Sequence, residues 1–179
     1  KQPANPCNNT NVINFINANG AAANAIASAT GIPALFTLAL SAAEVGFSPT
    51  NPVDTQNNNY FDLRLAPGAN AATATSGWQG AGPCSSVGGS NYSAGWACFA
   101  SANAFYTSGL SAYQSNGGVY GTAVLSVLNS DGGTYTMAAQ AVSNAGFDPG
   151  NTNYGTQFQG ALDALNSRLG CPGVTVTVH

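Results

Sequence analysis

The chain has 179 residues, of which only 5% are charged, with 3 Lys+Arg against 6 Asp+Glu and a net charge of -3. An average soluble protein has about 25% charged residues, but the 44% hydrophobic content here gives the chain enough apolar surface to fold. We therefore expect one domain over residues 1–179. Basic residues are too few to neutralise phosphates, which excludes nucleic acid as a partner, and no apolar run reaches the roughly 20 residues that span a bilayer.

Helical patterns separated by Gly, Asn and Pro dominate both ends of the chain. The sequence predicts helices at Thr10–Asn19, Gly20–Ala29, Pro33–Val45, Ala100–Gln114, Val119–Asn129, Thr134–Asn144 and Asn153–Leu169. Thr/Ala alternation and Gly-rich turns in Pro67–Gly95 predict a small β-hairpin or loop lobe. Val174–Val178 alternates with period two, which is typical of either a short edge strand or a docked tail. The predicted fold class is mainly α (α+β), a helical body with a small lobe.

The third predicted helix is the best specified. Thr30 is a candidate cap, Pro33 suits the first turn, and Gly46 ends the helix. Its apolar residues cover almost the whole circumference, which indicates a buried central helix. Three polar exceptions, Thr37, Ser41 and Glu44, fall on one stripe, which we expect to line a cleft where Thr37 and Ser41 contact substrate.

Glu44 is the only glutamate of the chain. It lies in the last turn of the most apolar helix, where an ionised carboxylate is poorly solvated and near the negative helix end. Both effects favour the protonated acid, the form that can protonate a glycosidic oxygen. The alternative is an exposed helix-terminal glutamate that has no role in chemistry.

The four cysteines lack the paired spacing of a zinc site, and His179 is the only histidine, so we expect no metal and no cofactor. Of the three disulfide connectivities, the sequence favours Cys7 with Cys171, tying the two ends, and Cys84 with Cys98, closing a Gly/Ser-rich loop. Disulfides imply an oxidising compartment, so we expect a secreted, extracellular protein whose signal peptide has been removed.

Four sequence blocks resemble, in the same order, motifs of bacterial N-acetylglucosaminidases, which belong to the lysozyme-like superfamily. The first block is the catalytic-helix signature, from Gly31-Ile-Pro-Ala-Leu to Ser41-Ala-Ala-Glu-Val-Gly-Phe-Ser. The others are Asn59-Tyr-Phe-Asp-Leu-Arg, Trp96-Ala-Cys-Phe-Ala-Ser and Ala145-Gly-Phe-Asp-Pro-Gly-Asn-Thr-Asn-Tyr. The resemblance implies a lysozyme-like helical domain that spans most of residues 30–170.

The resemblance also implies roles for single residues. Glu44 is implied as the general acid, and Tyr154 as a hydrogen-bonding partner of substrate or of the nucleophilic water, although a buried tyrosine that packs a turn is the alternative. Tyr60 is implied as a substrate contact by its motif position. Asn59 is a further candidate because its amide offers an uncharged donor and acceptor for N-acetyl and hydroxyl groups, and an ordinary loop asparagine is the alternative. The wider set of candidate sugar-stacking aromatics is Tyr60, Phe61, Trp78, Tyr92, Trp96 and Tyr120.

The chain departs from the family pattern at the second acid. No Asp or Glu occurs between Asp62 and Asp131, so the predicted lobe cannot supply one. Three solutions stay open: Asp62 or Asp54 acts as base or electrostatic stabiliser, the 2-acetamido group of the substrate assists, or the protein is inactive. We favour Asp62 or Asp54, although either aspartate could simply belong to a turn.

These observations predict a secreted, monomeric glycoside hydrolase of bacterial cell-wall peptidoglycan. It would cut a β-1,4 bond between N-acetylmuramic acid and N-acetylglucosamine, with muramidase (lysozyme) activity slightly favoured over N-acetylglucosaminidase activity. One alternative is a non-catalytic peptidoglycan- or chitin-binding module of the same fold. Another is a secreted surface protein in which the setting of Glu44 is accidental.

Overall fold

The chain folds mainly into helices. The computed structural model describes residues 2–49, 61 and 109–179, and these ranges contain no strand. After a 3-10 turn at Pro6–Asn8 they form α1 (Thr10–Thr30), α2 (Ala34–Val45), α3 (Gly109–Leu128), α4 (Tyr135–Val142) and α5 (Tyr154–Asn166). In these same ranges no helix is long and apolar enough to span a bilayer. The predicted lobe at Pro67–Gly95 lies outside the described residues.

Helix α1 is one continuous helix where the sequence predicts two. Its N-cap is Asn9, whose side chain accepts a hydrogen bond from the backbone N–H of Asn11, and Gly31 follows its last turn with φ 75°. Gly20 does not end a helix, because its role is a close contact: a Cβ at this position would lie 2.7 Å from Cγ1 of Val176. The missing side chain thus makes room for a segment that is far away in sequence.

Helix α2 is the buried central helix that the sequence predicts. It packs against α1 and α5, and Phe36, Leu38 and Leu40 are fully buried. The prediction that Thr30 caps this helix is wrong, because Thr30 is the last residue of α1 and its hydroxyl accepts from the backbone N–H of Ile32. The N–H of Ala34 donates instead to the backbone carbonyl of His179, at 2.8 Å.

Helix α4 packs between α3 and α5, and α5 contacts α2. Helix α3 crosses the predicted break between Gln114 and Val119 as one element, with Gly118 at φ 81° in its middle. A π-helical turn at Ser143–Phe147 extends α4, and a loop then leads into α5. The ring of Phe36 meets Phe158 of α5 at a centroid distance of 5.0 Å, which anchors α5 on the central helix.

The C-terminal segment Val174–His179 is a docked tail, not a strand. Two asparagines of α1 hold its backbone: Asn17 donates to the carbonyl of Gly173 and accepts from the N–H of Thr175. Asn24 likewise donates to Thr177 and accepts from His179. The alternating valines of the tail pack against the hydrophobic core. The tail thereby reaches the start of α2 and holds its first N–H.

We expect Asn24→Ala to lower the free energy of unfolding by about 1–2 kcal/mol, because two hydrogen bonds are lost and only part of that loss is offset by the higher helix propensity of alanine. Denaturant unfolding measures this change. The matched control is Asn14→Ala, at an exposed position of the same helix, which we expect to be neutral or slightly stabilising. Equal stabilities of the two variants would contradict the role of the tail contacts.

A disulfide joins Cys7 in the first turn to Cys171 after α5, the pairing that the sequence favours. The two cysteines are 164 residues apart in sequence. The bond therefore ties the beginning of the helical body to the start of the docked tail. Cys84 and Cys98 lie outside the described residues, so their pairing stays a prediction.

Candidate active site

Glu44 lies half-buried in the last turn of α2 and accepts a hydrogen bond from a tyrosine of α5. The hydroxyl of Tyr154 donates to Oε1 of Glu44 at 2.5 Å. The two residues are 110 positions apart in sequence. The structure therefore brings together Glu44, the candidate acid, and Tyr154, the candidate partner of substrate or of the nucleophilic water.

Tyr154 is held tightly at this place. It is the first residue of α5, its side chain is fully buried, and the ring of Phe147 meets it edge-on at 6.1 Å. Burial raises the pKa of Tyr154, and the negative charge of Glu44, their hydrogen bond and the charge of Asp148 raise it further. The tyrosine stays neutral and acts as a donor. Because the Tyr154 hydroxyl is buried and donates to Glu44, it fits a role in holding the Glu44 carboxyl group better than the expected direct contact with substrate or water.

The polar stripe of α2 runs from the protein interior toward Glu44, its most exposed member. Thr37 and Ser41 are fully buried. The hydroxyl of Thr37 shares a 2.8 Å hydrogen bond with the hydroxyl of Tyr113, a neighbour on α3. Neither side chain is accessible to a substrate in this structure. The two residues therefore do not line an open cleft here, contrary to the expectation from the sequence. Their polar atoms belong to the interior beneath Glu44.

The loop between α4 and α5 is fixed by polar side chains of α4 and of the π-helical turn. Gln140 donates to the carbonyl of Asn151 at 2.9 Å and accepts from the N–H of Gly155 at 3.1 Å. The buried hydroxyl of Ser143 donates to the carbonyl of Asp148 at 2.7 Å. Because Gln140 satisfies an N–H in the first turn of α5, it replaces a side-chain cap at the helix start that carries Tyr154.

Asp148 is the acidic residue near the site that the sequence analysis missed. Its Oδ2 accepts from Nδ2 of Asn151 at 2.7 Å, and its charge contributes to the raised pKa of Tyr154. The sequence feature that could have identified Asp148 is its position in the fourth family-like block, six residues before Tyr154. Tyr154 therefore lies in the field of two carboxylates, Glu44 and Asp148.

An aromatic cluster contacts Tyr154 through Phe147. Phe147 makes edge-on contacts with Phe61 and Tyr120, and Phe61 makes one with Tyr113. Phe61 is only 2% exposed, which makes it a core residue and not a sugar-stacking platform. Tyr120 is half-buried beside Phe147 and remains a candidate platform. The other predicted site residues and platforms lie outside the described residues: Asp54, Asp62, Asn59, Tyr60, Trp78, Tyr92 and Trp96.

The buried tyrosines predict a loss of stability at alkaline pH. The pKa values of Tyr113 and Tyr154 are raised above the ordinary 10.0. Above about pH 10 the unfolded chain loses these protons while the folded protein keeps them, so the folded state binds more protons and its stability falls as the pH rises. We expect a slope of about 1.4 kcal/mol per pH unit for each of the two tyrosines above that pH.

Denaturant unfolding at a series of pH values above 10.0, the ordinary tyrosine pKa, measures this slope. Tyr113→Phe removes one titrating group and should make the slope shallower, whatever its effect on stability at neutral pH. Tyr120 provides the control. It is only half-buried, so burial raises its pKa less than that of Tyr113, and Tyr120→Phe should change the slope less. An unchanged slope in Tyr113→Phe would contradict the prediction.

Comparison with known proteins identifies a fold relative but no sequence family. No protein-family profile and no curated protein sequence matches the chain. A solved structure described as a type VI secretion system effector–immunity complex from Pseudomonas protegens contains a chain with a TM-score of 0.63 and 22% sequence identity. The alignment covers 94% of this chain and 100% of that chain. At this level of identity the similarity shows a common fold.

Proposed function

We propose that the protein is a secreted antibacterial glycoside hydrolase of bacterial peptidoglycan, with Glu44 as its general acid. The observation that carries the proposal is the Glu44–Tyr154 pair: a half-buried carboxyl group at the end of a buried helix, with one oxygen held by a neutral donor. The fold similarity to a chain of an effector–immunity complex supports an antibacterial role. The resemblance of the sequence blocks to cell-wall glycosidases supports the choice of substrate.

The pair suits acid catalysis because the two carboxyl oxygens have different roles. Oε1 accepts the Tyr154 hydroxyl proton, so we assign the proton of the neutral acid to Oε2. When Oε2 protonates the glycosidic oxygen, the carbon–oxygen bond breaks and negative charge develops on Glu44. A hydrogen bond to an ionised acceptor is roughly twice as strong as a neutral one, so the bond from Tyr154 strengthens as the reaction proceeds. Such a contact stabilises the transition state more than the ground state.

The proposed hydrolysis also needs a group that activates or assists the attacking water. Asp62 or Asp54 would take the proton of the water as it attacks the anomeric carbon, or would stabilise the positive charge that develops on the sugar. In the other route, the oxygen of the substrate's 2-acetamido group attacks the anomeric carbon as the glycosidic bond breaks, and water then opens the cyclic intermediate. Muramidase activity is slightly favoured over N-acetylglucosaminidase activity. The difference lies only in which of the two β-1,4 bonds of the alternating glycan is cut.

Fragment analysis tests this proposal. Purified peptidoglycan is digested with the wild type, and the soluble fragments are reduced with borohydride and identified by mass spectrometry. Reduced muramic acid ends establish a muramidase, and reduced glucosamine ends a glucosaminidase. Ends that resist reduction would mean that a hydroxyl of the sugar itself, not water, attacks the anomeric carbon. Binding to peptidoglycan without any soluble fragment would overturn the enzyme proposal and favour a non-catalytic binding module.

A further inference from the structure

Two side chains of α5 contact the last turn of α2. Tyr154 and Gln157 are three residues apart and therefore lie on the same face of their helix. Tyr154 binds the carboxyl group of Glu44, and Nε2 of Gln157 donates to the backbone carbonyl of Ala43 at 2.9 Å. Helix α5 thus holds both the side chain of Glu44 and the peptide unit that precedes it.

The backbone carbonyl of Ala43 lies in the last turn of α2, where the helix itself supplies no hydrogen-bond donor. Helix α2 ends at Val45, and the last four carbonyls of an α-helix have no partner within the helix. The N–H of Gly46 donates to the carbonyl of Ala42, and Gly46, at φ 75°, then turns the chain away from the helix axis. Gln157 supplies the donor for the next carbonyl, directly before Glu44.

Stability alone gives little reason for this contact. Gln157 is exposed, and a typical hydrogen bond of a protein contributes only about 0.5–1.5 kcal/mol. Its geometric effect matters more: the bond ties the Ala43–Glu44 peptide to α5 and so opposes a movement of the Glu44 main chain away from Tyr154. A displacement of about 1 Å in a catalytic group can cost about 10²-fold in rate.

We propose that Gln157 is a positioning residue of the active site, which fixes the main chain at Glu44 so that Tyr154 and Glu44 stay in hydrogen-bonding register. The proposal rests on the proposed function for its effect on rate. Its geometric part, the coupling of Gln157 to the Glu44 carboxyl group, stands on the contacts of α5 alone.

The first test is kinetic. Gln157→Met keeps the length of the side chain and removes the donor, and we expect it to lower the pH-independent plateau of kcat about tenfold while KM stays within about twofold. Gln157→Lys restores an N–H donor and should recover most of the loss. Thr156→Ala, at the exposed neighbouring position, is the matched control and should leave kcat unchanged.

The second test needs no activity. Because Glu44 is the only glutamate, protein grown with carbon-13-labelled glutamate gives one carboxyl signal in an NMR spectrum. We expect Gln157→Met to shift or broaden this signal and Thr156→Ala to leave it in place.

The two tests separate failure of this proposal from failure of the proposed function. An active wild type whose kcat and Glu44 signal are both unaffected by Gln157→Met would overturn the positioning role. An inactive wild type would overturn the proposed function, whereas a Glu44 signal that still responds to Gln157→Met and not to Thr156→Ala would support the positioning contact.

Discussion

Replacement of Glu44 by glutamine is expected to lower kcat for peptidoglycan about 10³-fold, within the 10²–10⁴-fold that general acid catalysis contributes. Glutamine has nearly the same shape, and its amide oxygen can still accept the hydrogen bond from Tyr154. It cannot donate a proton to the leaving oxygen at any pH of the assay. The loss should therefore appear in kcat, with folding and substrate binding nearly unchanged.

The experiment compares initial rates of fragment release with sedimentation of the protein on insoluble peptidoglycan. Asp163→Asn is the matched control, because it makes the same change from acid to amide at an exposed position of α5. We expect this control to have wild-type activity. If Glu44→Gln retained more than about a tenth of the wild-type kcat, Glu44 would not be the general acid.

Removal of the Cys7–Cys171 disulfide is expected to lower the free energy of unfolding by about 2–5 kcal/mol. The bond closes a loop with a sequence separation of 164 residues, and a cross-link of this length strongly restricts the unfolded chain. Its loss would also free the start of the tail that reaches α2. Because native stabilities are often only about 5–15 kcal/mol, the effect is a large part of the total.

The test is denaturant unfolding of a variant with Cys7→Ser and Cys171→Ser, without reducing agent. A variant with only Cys7→Ser leaves the buried Cys171 in place and separates the cost of the lost cross-link from that of a buried serine. A change below about 1 kcal/mol in the double variant would contradict the assigned pairing or its role in stability.

The sequence was sufficient where local chemistry decides the structure. Helix α2 was predictable because the segment between Pro33 and Gly46 is mostly apolar, and both ends are set by residues with strong backbone preferences. Glu44 was conspicuous as the only glutamate, in the last turn of that helix. Tyr154 entered through the family-like block that ends with it.

The sequence was insufficient where contacts between distant segments determine the local structure. Gly20 looked like the boundary of a helix because nothing nearby shows that Val176 occupies the space beside it. Thr30 looked like the cap of α2 because it is the nearest suitable residue in sequence. The group that accepts from the first N–H of α2 is instead the carbonyl of His179, in the distant C-terminal tail. Gln157 and Ala43 are 114 residues apart, and no periodicity in either helix indicates that they meet.

The role assigned to Tyr154 illustrates the same limit. A tyrosine at the end of the fourth block predicted a residue near the cleft, but the block does not tell whether its hydroxyl faces substrate or protein. Full burial and the hydrogen bond to Glu44 distinguish the two. The two candidates for the base or electrostatic stabiliser, Asp54 and Asp62, lie outside the described residues and stay predictions.

The most direct test of the account is the titration of the single glutamate carboxyl group by carbon-13 NMR, set against the pH dependence of kcat/KM. The profile of kcat/KM reports the titrating groups of the free enzyme. If Glu44 is the acid held by Tyr154, the alkaline limb coincides with its titration midpoint. Tyr154→Phe removes a donor that favours the carboxylate, so both should move together to higher pH. An alkaline limb that stays in place while the Glu44 midpoint moves would contradict the assignment of Glu44 as the catalytic acid.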